Sequence, residues 1–238
     1  CWTLLSALAA TTSRAELGTL VTCAGFRNPA LLAKMADTVD EISGGRVILG
    51  LGAGYYEREY SAFGYPYDHR VSRFEEALRI IAPLLREGRV TFNGAYSSAE
   101  NCELHPRGPR PKGLPIMIGT GGERRLRLTA ELADSWNGWL VRGQNHPDAI
   151  PPLRERIDAA GRAAGRDPAT LARTATVMVD PRPGAAPSKT GPLSGTPEEI
   201  AEAFRGFARE GISHIQIASK VTRAAGIEQF RPILAVLD

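Results

Sequence analysis

The run PIMIGTGGERRLRLTAELAD, Pro115 to Asp134, decides how the chain is read. A short apolar strand ends in Gly119-Thr120-Gly121-Gly122, and an amphipathic helix begins at once. Glycine lets backbone come close to a ligand, and the first turn of a helix carries N–H groups with no intrahelical acceptor. Gly119 to Gly122 and the helix start that follows therefore make a cradle suited to an anion, most often phosphate, with Arg124 and Arg125 placed just beyond it to add charge. Such turns also arise for geometric reasons alone, so the flanking sequence has to carry the rest of the argument.

Working outward, short apolar strands alternate with helices on both sides of this run. Upstream, AELGTLVT (Ala15 to Thr22) reads as a strand, and Asn28-Pro29 as N-cap and first position of the helix PALLAKMADTVDEIS, stopped by Gly44-Gly45. RVILGLGAG is a strand running into glycines, followed by the aromatic segment YYEREYSAFGYPYDHR and a helix from about Val71 to Arg86. VTFNGAY, with Asn93-Gly94 at its centre, is a hairpin signal that opens an excursion over about 88–114. Downstream come the strand DSWNGWL, a helix from about Pro147 to Ala164, the strand TATVMV and a Pro/Gly/Ala-rich loop from Asp180 to Gly195. Thr196-Pro197-Glu198-Glu199 is a capping box opening EEIAEAFRGFAREG, and SHIQIAS and a helix from Ile227 to Leu237 close the pattern.

Six short, non-alternating apolar strands, each followed by a helix, predict an α/β fold with a parallel sheet covered by helices. An open doubly wound sheet and a β/α barrel both fit. The missing GxGxxG after the first strand counts against a dinucleotide-binding Rossmann domain, and in either architecture ligands sit at the C-terminal strand ends. Both glycine clusters, Gly52 to Gly54 and Gly119 to Gly122, fall there.

Composition sets the bounds. The chain has 238 residues, 43% hydrophobic and 23% charged, enough for one sizeable domain. Its net charge of +3 is spread along the sequence, so no nucleic-acid partner is expected. Three cysteines without a CxxC pair predict neither a disulfide framework nor a zinc site, and point to a reducing cytoplasm. No two of the four histidines are spaced as metal ligands. No apolar run approaches the roughly 20 residues of a membrane span, and no signal peptide is visible. The opening CWTLLSALAATTSR lacks an initiator Met and is an apolar helix already under way, which reads as the start of a fragment.

LGTLVT, FRNPALLAKMADTVDEISGGRVILGLGAGYYEREYSAFG and PIMIGTGGERRLRLTAELADSWNGW together resemble the bacterial luciferase-like superfamily. The branch they are most similar to is its deazaflavin-dependent oxidoreductases, which use coenzyme F420. The resemblance implies a TIM-type (β/α)8 barrel lacking its first two strands, with an insertion where the Asn93-Gly94 hairpin sits. It implies that the amides of Thr120, Gly121, Gly122 and Glu123 hold the cofactor phosphate. Leu20, Val21 and Thr22 match a bulge backing the central ring, with a cis peptide at Leu20–Val21, and Gly52, Ala53 and Gly54 match the strand end passing the ring system. The implied function is hydride transfer between F420 and an unknown small organic substrate. The alternatives are an FMN-dependent monooxygenase on the same barrel and a non-catalytic flavin-binding barrel relic.

The proton-handling group is less marked. A Glu that relatives often carry directly after the strand-four Gly is Tyr55 here, which counts against the sugar-phosphate dehydrogenase branch. Tyr55 and Glu57 are the catalytic candidates, with Glu59 on the same loop. Carboxylates in a first helical turn are also favoured simply by the helix dipole. His69 reads as a surface or capping residue, Trp136 as core, and Arg110 and Lys112 as a solvated loop. The full-length protein is expected to be a homodimer with a small-molecule substrate and no membrane. With six of eight strands, the chain alone is expected to be poorly soluble or to dimerise through its open edges.

Overall fold

Val47–Gly52 is buried along nearly its whole length, the pattern of a parallel strand covered on both faces. The computed structural model describes residues 1–141, 144–185, 188, 190–219, 221 and 223–237. They form two units, Cys1–Gly119 with Glu131–Asp134, and Thr120–Ala130 with Ser135–Asp238.

The first unit begins with α1 (Trp2–Thr11), β1 (Leu17–Gly18), β2 (Thr22–Cys23) and α2 (Pro29–Ser43). It continues through β3 (Val47–Gly52), α3 (Glu57–Phe63), α4 (Arg70–Glu87), β4 (Arg89–Asn93), β5 (Ser98–Glu103) and β6 (Ile116–Gly119). β1, β2 and β6 all pair in parallel with β3. Asn28 caps α2 by accepting from the amides of Ala30 and Leu31, and Gly44 ends it in the left-handed region (φ 69°), as the sequence predicts. Leu32, Leu49, Phe74, Leu78, Ile81 and Ile116 are fully or almost fully buried where helices cover the sheet. Arg46 fastens the end of α1 by donating to the carbonyls of Ala9 and Thr12.

Three expectations change in this unit. The strand Ala15 to Thr22 is broken, because its two paired ends meet β3 in different register. Gly18 lies opposite Ile48 and Thr22 opposite Leu51, so four steps face three and one residue is extruded as a bulge. The hairpin forms between β4 and β5, but its tip is Ala95-Tyr96, with the Gly94 amide donating to the Ser97 carbonyl, instead of Asn93-Gly94. The cause is Glu76 on α4, whose carboxylate accepts from the amides of Ala95, Tyr96 and Ser97 at 2.9, 2.7 and 2.8 Å. Arg110 is no solvated cation. It lies 3.4 Å from buried Asp40 and donates to the Gly45 carbonyl, tying the loop after the hairpin to the end of α2. Burial raises the pKa of Asp40, while the Val47 amide and Arg110 favour its charged form.

The second unit takes up the chain at Thr120. It holds α5 (Glu123–Leu132), whose last residues return to the first unit, then β7 (Ser135–Trp139), α6 (Ile150–Ala163) and β8 (Ala172–Met178). α7 (Pro197–Arg209), β9 (His214–Ala218), α8 (Ala224–Ile227) and α9 (Arg231–Leu237) complete it. β7, β8 and β9 are parallel neighbours, with Ser135 opposite Ala172 and Thr174 opposite His214. Ile150, Val177, Ile200, Phe207 and Ile233 make its main core. The Thr196–Glu199 capping box is present in both directions. The expected last helix is split by the 3₁₀ turn Glu228–Phe230, because Pro232 has no N–H to continue an α-helical ladder. Ala186, Pro187 and Lys189 of the Asp180–Gly195 loop, and Asp238 at the end of the expected domain, lie outside the described residues.

Candidate functional site

In the first unit, the predicted residues of the bulge and of the β3 end come together. The Leu20–Val21 peptide is cis. The Thr19 hydroxyl donates to the Gly50 carbonyl at 2.8 Å, and a Cβ on Gly50 would lie 1.8 Å from the Thr19 carbonyl oxygen. Two residues further, a Cβ on Gly52 would lie 2.7 Å from Val21 Cγ2. These glycines let the bulge lie flat against β3, and Leu20 and Val21 stay 41% and 38% exposed. Such an apolar ledge suits the face of a flat ring. The Thr22 hydroxyl is buried and unpartnered.

Beyond Gly54, which has φ 72°, the strand end is fixed by a residue the sequence reading missed. Tyr60 of α3 is 1% exposed and donates its hydroxyl to the Ala53 carbonyl at 2.7 Å. Its single proton is thereby used, so the Cys23 thiol, 3.0 Å away, is the donor to the phenol oxygen. Burial pushes the Tyr60 phenol above its ordinary range, so it stays protonated and holds Ala53. The signal was the EREYSAF spacing, which puts Tyr60 on the buried face of α3.

The catalytic candidates lie on the same loop. Tyr55 is 76% exposed, and Glu57 and Glu59 are exposed in the first turn of α3. His69 occupies the N-cap position of α4 in the left-handed region and stacks on Tyr96 at 5.5 Å, with Arg73 over the same ring.

In the second unit, the turn Thr120–Glu123 leads into α5. The Thr120 amide, expected at the phosphate, instead donates to the Asn137 carbonyl at 3.4 Å, while among the described residues the amides of Gly121, Gly122 and Glu123 have no hydrogen-bond acceptor, the last two as the start of a helix requires. The two preceding carbonyls are both taken. Trp136 Nε1 donates to the Thr120 carbonyl at 2.9 Å, and Arg156 donates to that of Gly121 at 2.6 Å. The Thr120 hydroxyl is buried without a partner, and a Cβ on Gly121 would meet nothing within 4 Å. Free amides, an unsatisfied hydroxyl and open space fit a phosphate. Trp136 is core, as expected, yet it also props the turn, and Arg156 was not singled out by the sequence.

The remaining candidates are structural or exposed. His105 meets Glu103, His146 meets the Ser188 carbonyl, and His214 is exposed at the start of β9. Among the described residues no three His, Cys, Asp or Glu side chains are grouped as metal ligands, and no helix is long and apolar enough to cross a membrane.

Comparison with known proteins adds the lineage. The family model described as luciferase-like monooxygenase matches residues 1–193. The chain belongs to this family. Among its luciferase-like relatives, the chain is 34% identical to pyrimidine monooxygenase RutA of Cronobacter sakazakii, over 70% of this chain and 49% of that one. It is 28% identical to the F420-dependent glucose-6-phosphate dehydrogenase of Kineococcus radiotolerans, over 94% of this chain and 76% of the relative. The chain thus spans about half the length of RutA and three quarters of the dehydrogenase. In fold it is similar to an F420-dependent secondary alcohol dehydrogenase solved with an F420-acetone adduct. That likeness has a TM-score of 0.82 at 19% identity, covering 100% of this chain and 84% of the other.

Proposed function

We propose that this luciferase-like chain is part of an oxidoreductase that passes hydride between coenzyme F420 and a small organic substrate. The observation carrying this reading is the Thr120–Glu123 turn, where three consecutive amides stand without acceptors beside an unsatisfied hydroxyl. Likeness to an F420-dependent dehydrogenase across most of both chains supports the deazaflavin. In this reading the six parallel strands, counting β1 and β2 as one, are the third to eighth of the family's (β/α)8 barrel, and the full-length protein is a homodimer.

When bound, the deazaflavin supplies a two-electron hydride carrier. The chain supplies its placement. The amides of Gly121, Gly122 and Glu123 and the Thr120 hydroxyl would hold the phosphate. Leu20 and Val21 would back the ring, with Thr22 behind them, while Gly52, Ala53 and Gly54 would pass close to it and Tyr60 keeps the Ala53 carbonyl fixed. Tyr55 and Glu57 are the groups of this loop able to give or take a proton at the phenol oxygen or the carboxylate.

The second reading, an FMN-dependent monooxygenase, is supported by the 34% identity to a pyrimidine monooxygenase. Parallel fluorescence titrations with F420 and FMN test both. Saturable F420 binding with weak FMN binding is expected. A preference for FMN would move the reading to monooxygenation, and binding of neither would overturn it.

A further inference from the structure

We infer that Trp136 and Arg156 are positioning residues that aim the amides of the Thr120–Glu123 turn, setting phosphate affinity without touching the phosphate. The inference rests on the reading of this turn as the phosphate cradle.

The argument is one of peptide geometry. In a planar trans peptide the carbonyl of one residue and the N–H of the next point in opposite directions. The peptides of this turn are trans. Fixing the Thr120 carbonyl on Trp136 Nε1 therefore turns the Gly121 N–H the other way. Fixing the Gly121 carbonyl on Arg156 does the same for the Gly122 N–H. Two consecutive amides are thus aimed from behind, and both are among those left without an acceptor.

The two props suit the task in different ways. Trp136 is 1% exposed and wedged with Leu126, Ile157 and Leu171, so its N–H cannot follow the loop if the loop moves. A Cβ on Gly138 would lie 2.9 Å from the indole ring, so the strand itself is trimmed to seat the side chain. Arg156 reaches in from the exposed face of α6. Without them, a Gly-Gly pair has the widest backbone freedom of any dipeptide, and ordering it would be charged against binding. The buried, unpartnered Thr120 hydroxyl in the same turn is an independent sign that the arrangement awaits a polar ligand.

The test compares the cofactor selected by the titrations with the same flavin lacking its phosphate: F420 against its phosphate-free deazaflavin core, or FMN against riboflavin. Trp136→Phe removes one N–H and no charge. It is expected to weaken binding of the phosphorylated form about fivefold to tenfold and to leave the phosphate-free form unchanged. Arg156→Met should act the same way and persist at high salt, where a purely coulombic loss would shrink. Arg156→Lys, which keeps a donor, should restore most of the loss. Because Arg156 is on the surface, this pair decides the matter even if Trp136→Phe fails to fold. Unchanged affinity in the variants, or an equal loss for both flavin forms, would overturn the inference while leaving the cradle standing. A parent protein that binds both forms equally, or neither, would overturn the cradle and the inference together.

Discussion

The two glycine-bearing strand ends look alike in sequence and differ in what demands the glycine. At the end of β3 the protein itself does. A Cβ on Gly50 would strike the Thr19 carbonyl, one on Gly52 the Val21 side chain, and one on Gly54 the Tyr60 hydroxyl at 2.4 Å. In the turn before α5, a Cβ on Gly121 would meet no atom of the described residues within 4 Å, and one on Gly122 would meet only the far end of the Arg125 side chain, at 3.1 Å. At Gly121 neither a neighbouring atom nor a positive φ demands the glycine, which the proposed phosphate site would explain.

Substitutions can break this contrast. Gly50→Ala is expected to cost more than about 4 kcal/mol, because a backbone carbonyl cannot yield 1 Å or more without undoing the bulge. Denaturant melts should show it as loss of a folded baseline. Gly121→Ala, by contrast, should leave stability unchanged or raise it by up to about 1 kcal/mol through the unfolded chain. Its effect belongs in cofactor titrations, with affinity falling about tenfold on the scale where each 1.4 kcal/mol is a decade. A stability loss in Gly121→Ala would erase the distinction between the two ends. Tyr60→Phe sharpens the β3 side: losing the hydrogen bond to buried Ala53 should cost about 1–2 kcal/mol in a thermal melt. Gly122→Ala should be nearly silent in stability, within about 0.5 kcal/mol, since a side-chain tip can move aside.

What could be read from the sequence was local. Asn28, Gly44 and the Thr196–Glu199 box act within one helical turn, so residue identity and spacing suffice to place them. The β/α order followed from apolar runs that do not alternate, a property of β3 confirmed by its burial. What escaped depends on partners far along the chain. The break in Ala15–Thr22 comes from Thr19 against Gly50, the shifted hairpin tip from Glu76, and the fixed Arg110 from Asp40. The glycine turn between β6 and α5 was legible. Its props were not, because nothing in the sequence of Trp136 or Arg156 says which carbonyl each will meet.

Glu76 has a consequence of its own. A hairpin tip at the surface is ordinarily among the first places where backbone amides trade protons with solvent. Here three successive amides, Ala95, Tyr96 and Ser97, are bound to one carboxylate that stands on the long helix α4. Their exchange for deuterium is therefore tied to that helix, and they should exchange slowly although Ala95 is exposed. In Glu76→Gln the same three should exchange fast while the core of α4 keeps its protection. The hairpin is thus carried by α4 as a limb with a bound end, and its tip keeps time with the helix instead of with the solvent.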